Sequence, residues 1–311
     1  LKIFKVIALL TISILLCLPS FIYGINWYVS TTASGNGSGS SWANAKSFES
    51  LRGNWGNVAA GTTVYIDGGS DSVFYNINGL SGVDGYSFNP VGTVAQPIIV
   101  TKGIDAGHNG KVIFRKNSTT GGIIGLNVSG ASNTIVQNID FQGKVTTISQ
   151  TYLVFFYTGN TTNLTFQYCT FRMFYSEGVG TNGASEQSNN IKFLHCDFLN
   201  LLDTGVNSAM DMMWLGGPNH TNWEIAYCNF INANPKTGAT VSTAHRDLIQ
   251  CEAGWGQGGT FKVHHNFFID RSAGAAGACI ESEHLRGTWE IYNIVFKSNS
   301  TGANNTGFFA L

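Results

Sequence analysis

Asn190-Ile-Lys-Phe-Leu-His-Cys-Asp-Phe198 is one copy of a phrase that the chain keeps repeating. Asn138-Ile-Asp-Phe141 and Asn163-Leu-Thr-Phe-Gln-Tyr-Cys-Thr-Phe171 come before it. Asn222-Trp-Glu-Ile-Ala-Tyr-Cys-Asn-Phe230, Thr260-Phe-Lys-Val-His-His-Asn-Phe-Phe268 and Thr288-Trp-Glu-Ile-Tyr-Asn-Ile-Val-Phe296 follow. The closing phenylalanines lie 30, 27, 32, 38 and 28 residues apart. A repeat of this period marks stacked units, each able to bury its apolar face only against its neighbours. Apolar and polar residues alternate within each copy, which is the periodicity of a strand and not of a helical hairpin. One such strand per repeat, with uneven connections, predicts an all-β parallel solenoid with loops of variable length.

Composition agrees. The 311 residues include 38 Gly and 5 Pro, and only 11% are charged. Gly and Asn are expected to supply the positive-φ positions of tight solenoid corners. A net charge of −1 gives no electrostatic case for nucleic acid or an anionic membrane as partner. Lys2 and Lys5 precede the apolar run from Val6 to Leu18, the pattern of an export signal, and that run is too short for a comfortable membrane span. The expected organisation is a signal peptide over 1–24, an N-terminal strand and capping helix over 25–60, and the solenoid over 61–311. The protein is expected to be secreted or held at the cell surface. The sequence stops at apolar Phe308-Phe-Ala-Leu311 with no polar cap, so the native chain is expected to continue.

Cys169, Cys196 and Cys228 each stand two residues before a closing phenylalanine. On adjacent coils they would stack about 4.8 Å apart, a packing ladder and not a metal site or disulfide framework. Cys251 and Cys279 complete the mature set. The phenylalanines share that face and should form a parallel aromatic ladder. Trp223 and Trp289 read as packing residues, and of His264 and His265 alternation lets only one face outward.

The N-terminal third reads differently. Trp27-Tyr-Val-Ser30 is a short strand; Trp42 to Leu51 spaces its apolar residues at helical intervals behind a candidate N-cap, Ser41. Gly61 to Gly68 and Gln96 to Lys102 are strands. Tyr28 to Ser30, Ser41-Trp42, Gly61 to Gly69 and Pro97 to Val100 together resemble the N-terminal segment of secreted right-handed parallel β-helix proteins of the pectin-lyase-like superfamily. That resemblance implies a right-handed parallel β-helix. It leaves function open, because the superfamily includes polysaccharide lyases, glycoside hydrolases, epimerases, phage tailspikes and plain surface proteins.

Candidate site residues come from chemistry. Aligned on their phenylalanines, three coils bring Trp214, Gln250 and Glu281 into one column and Gly216, Glu252 and Glu283 into another. Both columns fall opposite Met213, Ile249 and Ile280, hence outward. Asp211 and Asp247 stack at the start of the same strand, and His245, Arg246, His284 and Arg286 flank the patch. An exposed Trp214 beside Gln250, Glu252 and Arg286 suits a sugar ring, which has an apolar face and a polar rim. Stacked carboxylates repel, so a cation or a raised pKa must offset them; calcium held by Asp211, Asp247 and Glu281 is one solution. A lyase would take its base from His245, Arg246 or His284. A hydrolase would pair Asp247 with Glu281 or Glu283. His245-Arg-Asp-Leu-Ile-Gln250 also resembles a string found in β-helix polysaccharide enzymes, although the adjacent Asp-Asp and the Gly-His-Gly of polygalacturonase-type hydrolases are missing. Two functions follow as expectations: a polysaccharide lyase or glycoside hydrolase, or a noncatalytic adhesive solenoid that binds glycan or a cell surface.

Overall fold

The computed structural model describes residues 24–80, 85–118, 124–143, 152–156, 159–172, 177–181, 187–199, 211–232, 247–251, 259–270, 278–282, 287–298 and 307–310. The expected signal segment lies almost wholly outside them. Among the described residues, three parallel sheets of 11, 8 and 8 strands run the length of the chain. Each coil contributes one strand to the first sheet, one to the second and one to the third, in that order, which is a right-handed parallel β-helix. The repeated phrase spans the corner between the first two sheets. Asn160–Gln167 and Gln187–Leu194 pair in the first sheet, and Thr170–Arg172 and Asp197–Leu199 in the second. No helix among the described residues is long and apolar enough to cross a membrane.

The inward positions of the phrase form the core. Phe141, Phe171, Phe198, Phe230 and Phe268 are all buried, with consecutive rings stacked at centroid distances of 4.6–4.9 Å. Cys169, Cys196 and Cys228 form the expected neighbouring ladder and are free thiols. Asn266 continues it, its Oδ1 accepting the Cys228 amide at 2.8 Å and its Nδ2 donating to the Ile225 carbonyl. Trp223 is buried and Trp289 packs against the core, as expected of packing residues. On the outer face of the first sheet, Lys192, Glu224, Lys262 and Glu290 occupy one register column with alternating sign. Their ion pairs, at 2.6 Å and 3.1 Å, offset the crowding of like charges that in-register stacking otherwise creates.

The corners depart from expectation in one respect. Asn133, Asn163, Asn190 and Asn222 do take positive φ, and amide-to-amide hydrogen bonds of 2.7–2.8 Å link Asn133, Asn163 and Asn190. At the turn into the second sheet, however, Tyr168, His195, Tyr227 and His265 share that backbone state with Asn138 and Asn293. A bulky residue there costs of order 1 kcal/mol. Ring stacking at 5.0, 4.9 and 4.8 Å offsets it.

The short helix expected over 42–51 takes the form of two 3-10 turns, Trp42–Asn44 and Phe48–Leu51, separated by Lys46–Ser47, which pairs with the strand Trp27–Ser30. Ser41 makes no side-chain cap; Ser47 caps the second turn instead. Phe48 and Leu51 need only a three-residue spacing to face inward together, and 3-10 geometry provides it. Phe48 closes the end of the core, stacked on Tyr86 at 4.6 Å and edge-on to Tyr75.

Candidate functional site

The third sheet carries the candidate residues on the strands Met213–Leu215, Ile249–Cys251 and Ala278–Ser282. Met213, Ile249 and Ile280 point into the core and are fully buried. Trp214 pairs with Gln250 and Gln250 with Glu281, so the three share one column on the opposite face, in the register expected from sequence. His245, Arg246, Glu252, Glu283, His284 and Arg286 lie outside the described residues, and for Glu281 only the backbone is described.

Upstream in the same column stand Phe155 and Gly180. Ile124, Tyr152 and Phe155 form a small apolar cluster apart from the main core, and Trp214 packs on it. The Tyr152 ring lies 4.2 Å from Phe155 and 6.3 Å from Trp214. Gly180 makes this possible, because a Cβ there would meet Tyr152 Cδ1 at 2.6 Å and Phe155 Cδ2 at 2.7 Å. Gly180→Ala is therefore expected to cost about 1–3 kcal/mol by overpacking, read in urea unfolding; an unchanged midpoint would mean the rings yield freely. Sequence reasoning missed this aromatic contribution. Its signal was Tyr152-Leu-Val-Phe-Phe156, apolar at every position and buried at every position, which is the mark of a strand covered on both faces.

The platform corrects one expectation: Trp214 is half-buried and not an isolated exposed ring. Gln250 also lies on the face away from the core, yet it is only 4% exposed. Its Oε1 meets no hydrogen-bond donor among the described residues. Outward alternation therefore places a side chain off the core without making it solvent-facing.

Asp211 and Asp247 stack as expected, but both are buried. The Asp247 backbone N–H donates to Asp211 Oδ1 at 2.9 Å, and the Met212 N–H donates to the Asp247 carbonyl at 3.2 Å. The Asp211 carboxylate thus bridges two coils where the strand begins. Among the described residues no three Asp, Glu, His or Cys side chains converge as a metal site.

Away from this sheet, His264 is buried and His265 is exposed at the corner, their Nδ1 atoms 2.9 Å apart. His264 Nε2 lies 3.2 Å from Glu224 Oε1, and only His265 of the pair faces outward, as alternation requires.

No family model matches the chain, and no curated protein does. Solved structures do. A pectate lyase, Pel9A, superposes with a TM-score of 0.50 at 13% identity, over 90% of this chain and 77% of that one. An alginate lyase from Paenibacillus sp. str. FPU-7 gives 0.44 at 13% identity, over 91% and 99% of the two chains. A GH136 lacto-N-biosidase from Eubacterium ramulus gives 0.43 at 11% identity, over 92% and 65%. At these identities the likeness is one of fold alone, the parallel β-helix.

Proposed function

We propose that this is an extracellular polysaccharide-processing β-helix, a lyase or glycoside hydrolase that holds a glycan along the outward face of the third sheet. The observation that carries the reading is the register column Trp214–Gln250–Glu281, built beside Asp211 and Asp247 on an aromatic base. An indole meets the apolar face of a sugar ring, while a carboxylate meets its hydroxyls. Lyase chemistry needs a base for the proton α to a uronate carboxylate and positive charge for the anion that forms. His245, Arg246 and His284 are the candidates for the base, with Arg286 close in sequence. Calcium would draw on Asp247, Glu281 and Asp211, whose Oδ1 also accepts the Asp247 amide. Hydrolysis would pair Asp247 with Glu281 or Glu283.

The test is an assay of the mature protein on uronate polysaccharides, pectate first, with calcium and with chelator. Absorbance reports an unsaturated product and reducing-sugar release reports hydrolysis. The expected result is activity that falls by about 100-fold or more in Asp247→Asn, a size typical of a lost acid–base group, with folding retained. Silence in both readouts would overturn the enzymatic reading.

One observation favours a second reading, a noncatalytic solenoid that binds glycan or a cell surface. Asp211 and Asp247 are both buried, and the Asp211 carboxylate accepts the Asp247 backbone N–H, which is a structural employment of Asp211.

A further inference from the structure

A cleft of about 380 Å³ opens at the corner between the first and second sheets, on a different side of the solenoid from the third-sheet platform. Lys102, Lys111 and Arg172 line it, with Asp140 as the acid among them. In a chain only 11% charged, three cations against one carboxylate is a local concentration of positive charge. Arg172 is held in place by two contacts to Asp140, Nε to Oδ1 at 2.8 Å and Nη2 to Oδ2 at 2.6 Å. Lys111 is exposed, and Lys102 reaches the Asn109 carbonyl at 3.3 Å.

Tyr168 stands on the same cleft. It is 56% exposed and locked at φ 54°. One face of its ring stacks on His195 at 5.0 Å. The corner position of the preceding coil, beyond its other face, holds Asn138, which also lines the cleft and is too small to cover a ring. The cleft therefore combines an open aromatic face, fixed in orientation, with ammonium groups near it. An anionic sugar has the matching parts, an apolar ring face and a carboxylate.

We propose that this corner cleft is a second carbohydrate-binding surface, specific for acidic polysaccharide, with one uronate ring on Tyr168 and carboxylates of that and a neighbouring uronate at Lys102 and Lys111. It stands on its own charge and geometry and does not require the third-sheet site to be catalytic. Such a surface would tether a long acidic chain to the side of the solenoid.

The experiment is affinity electrophoresis of the mature protein in gels containing polygalacturonate, alginate or a neutral β-glucan, at several salt concentrations. Four proteins are compared: wild type, Lys102→Gln/Lys111→Gln, Tyr168→Asn and Trp214→Ala. Tyr168→Asn places at this corner the residue that the preceding coil already carries, so the backbone conformation is kept. The expected result is retardation by the acidic polymers that weakens with salt, falls about tenfold or more in the lysine variant, falls in Tyr168→Asn, and is not abolished in Trp214→Ala. Unchanged retardation in the lysine variant would overturn the proposal, as would equal binding of the neutral glucan. Loss of all acidic-polymer binding in Trp214→Ala alone would overturn it too, while supporting the third-sheet reading. Absence of any retardation by polygalacturonate and alginate overturns the corner cleft and leaves a neutral-glycan function at the third sheet to be judged separately.

Discussion

Phe198→Ala is expected to destabilise the protein by about 3–5 kcal/mol, the cost of emptying a well-packed aromatic site. Phe198 is fully buried in the middle of the ladder, stacked on Phe171 at 4.7 Å and on Phe230 at 4.6 Å. Its ring also borders Phe193 at 6.1 Å. Truncation removes transfer energy and leaves a cavity that parallel strands on either side cannot collapse to fill. It also removes two stacked pairs, each worth about 0.5–1.5 kcal/mol beyond area. Stability in a solenoid is a sum over neighbouring coils, so a gap at one coil weakens coupling on both sides. Denaturant unfolding should show the loss, together with a smaller one for Phe198→Leu. A cost below about 1 kcal/mol for the alanine variant, well under the usual aromatic-to-alanine range, would mean the ladder is not the source of core stability.

The second large effect is on pH dependence. His220 is fully buried on the strand His220–Thr221. Trp223 Nε1 donates to Ser188 Oγ at 2.9 Å, and the same oxygen lies 2.7 Å from His220 Nδ1. Burial pulls the His220 pKa down to about 4, against a weaker opposing pull from the Gly216 backbone. An unfolded chain would hold this histidine near its ordinary 6.5. Between pH 6.5 and 4 the unfolded state therefore binds more protons than the folded one, and stability falls as pH falls. Above 6.5 the full stability is present, and below about 4 this loss is complete. A shift from 6.5 to about 4 is worth about 3 kcal/mol at 1.36 kcal/mol per unit. His220→Asn keeps a hydrogen-bonding group near the Nδ1 position and removes the titration. Its stability should change less than that of wild type between pH 7 and pH 4, by about 3 kcal/mol. Equal slopes for the two proteins would contradict the neutral buried histidine.

Much of the fold was legible because a solenoid prints its core once per coil. The closing phenylalanines, the cysteine ladder and the Trp214–Gln250–Glu281 column all emerged from aligning repeats, and in-register parallel pairing turned that alignment directly into space. The outer face was less legible. Alternation says which side of a strand a residue takes, but not what covers that side. Gln250 therefore read as exposed and is buried, and Asp211 read as lying at the surface and is buried, its carboxylate accepting the Asp247 amide. The corner tyrosines and histidines escaped for a different reason. Their left-handed backbone is offset by stacking on the next coil, an energy that no single copy of the phrase displays. The helix over 42–51 became 3-10 turns because Lys46–Ser47 gained more from pairing with the first strand than from continuing a helix.

The most direct test of the account is the affinity of the mature protein for a panel of acidic and neutral polysaccharides, measured beside Trp214→Ala and Glu281→Gln. A glycan held on the third-sheet column predicts that at least one polymer binds wild type. It also predicts that both variants bind that polymer about tenfold or more weakly, with unchanged thermal midpoints. Binding that is indifferent to both substitutions, or no binding by any polymer of the panel, would contradict it.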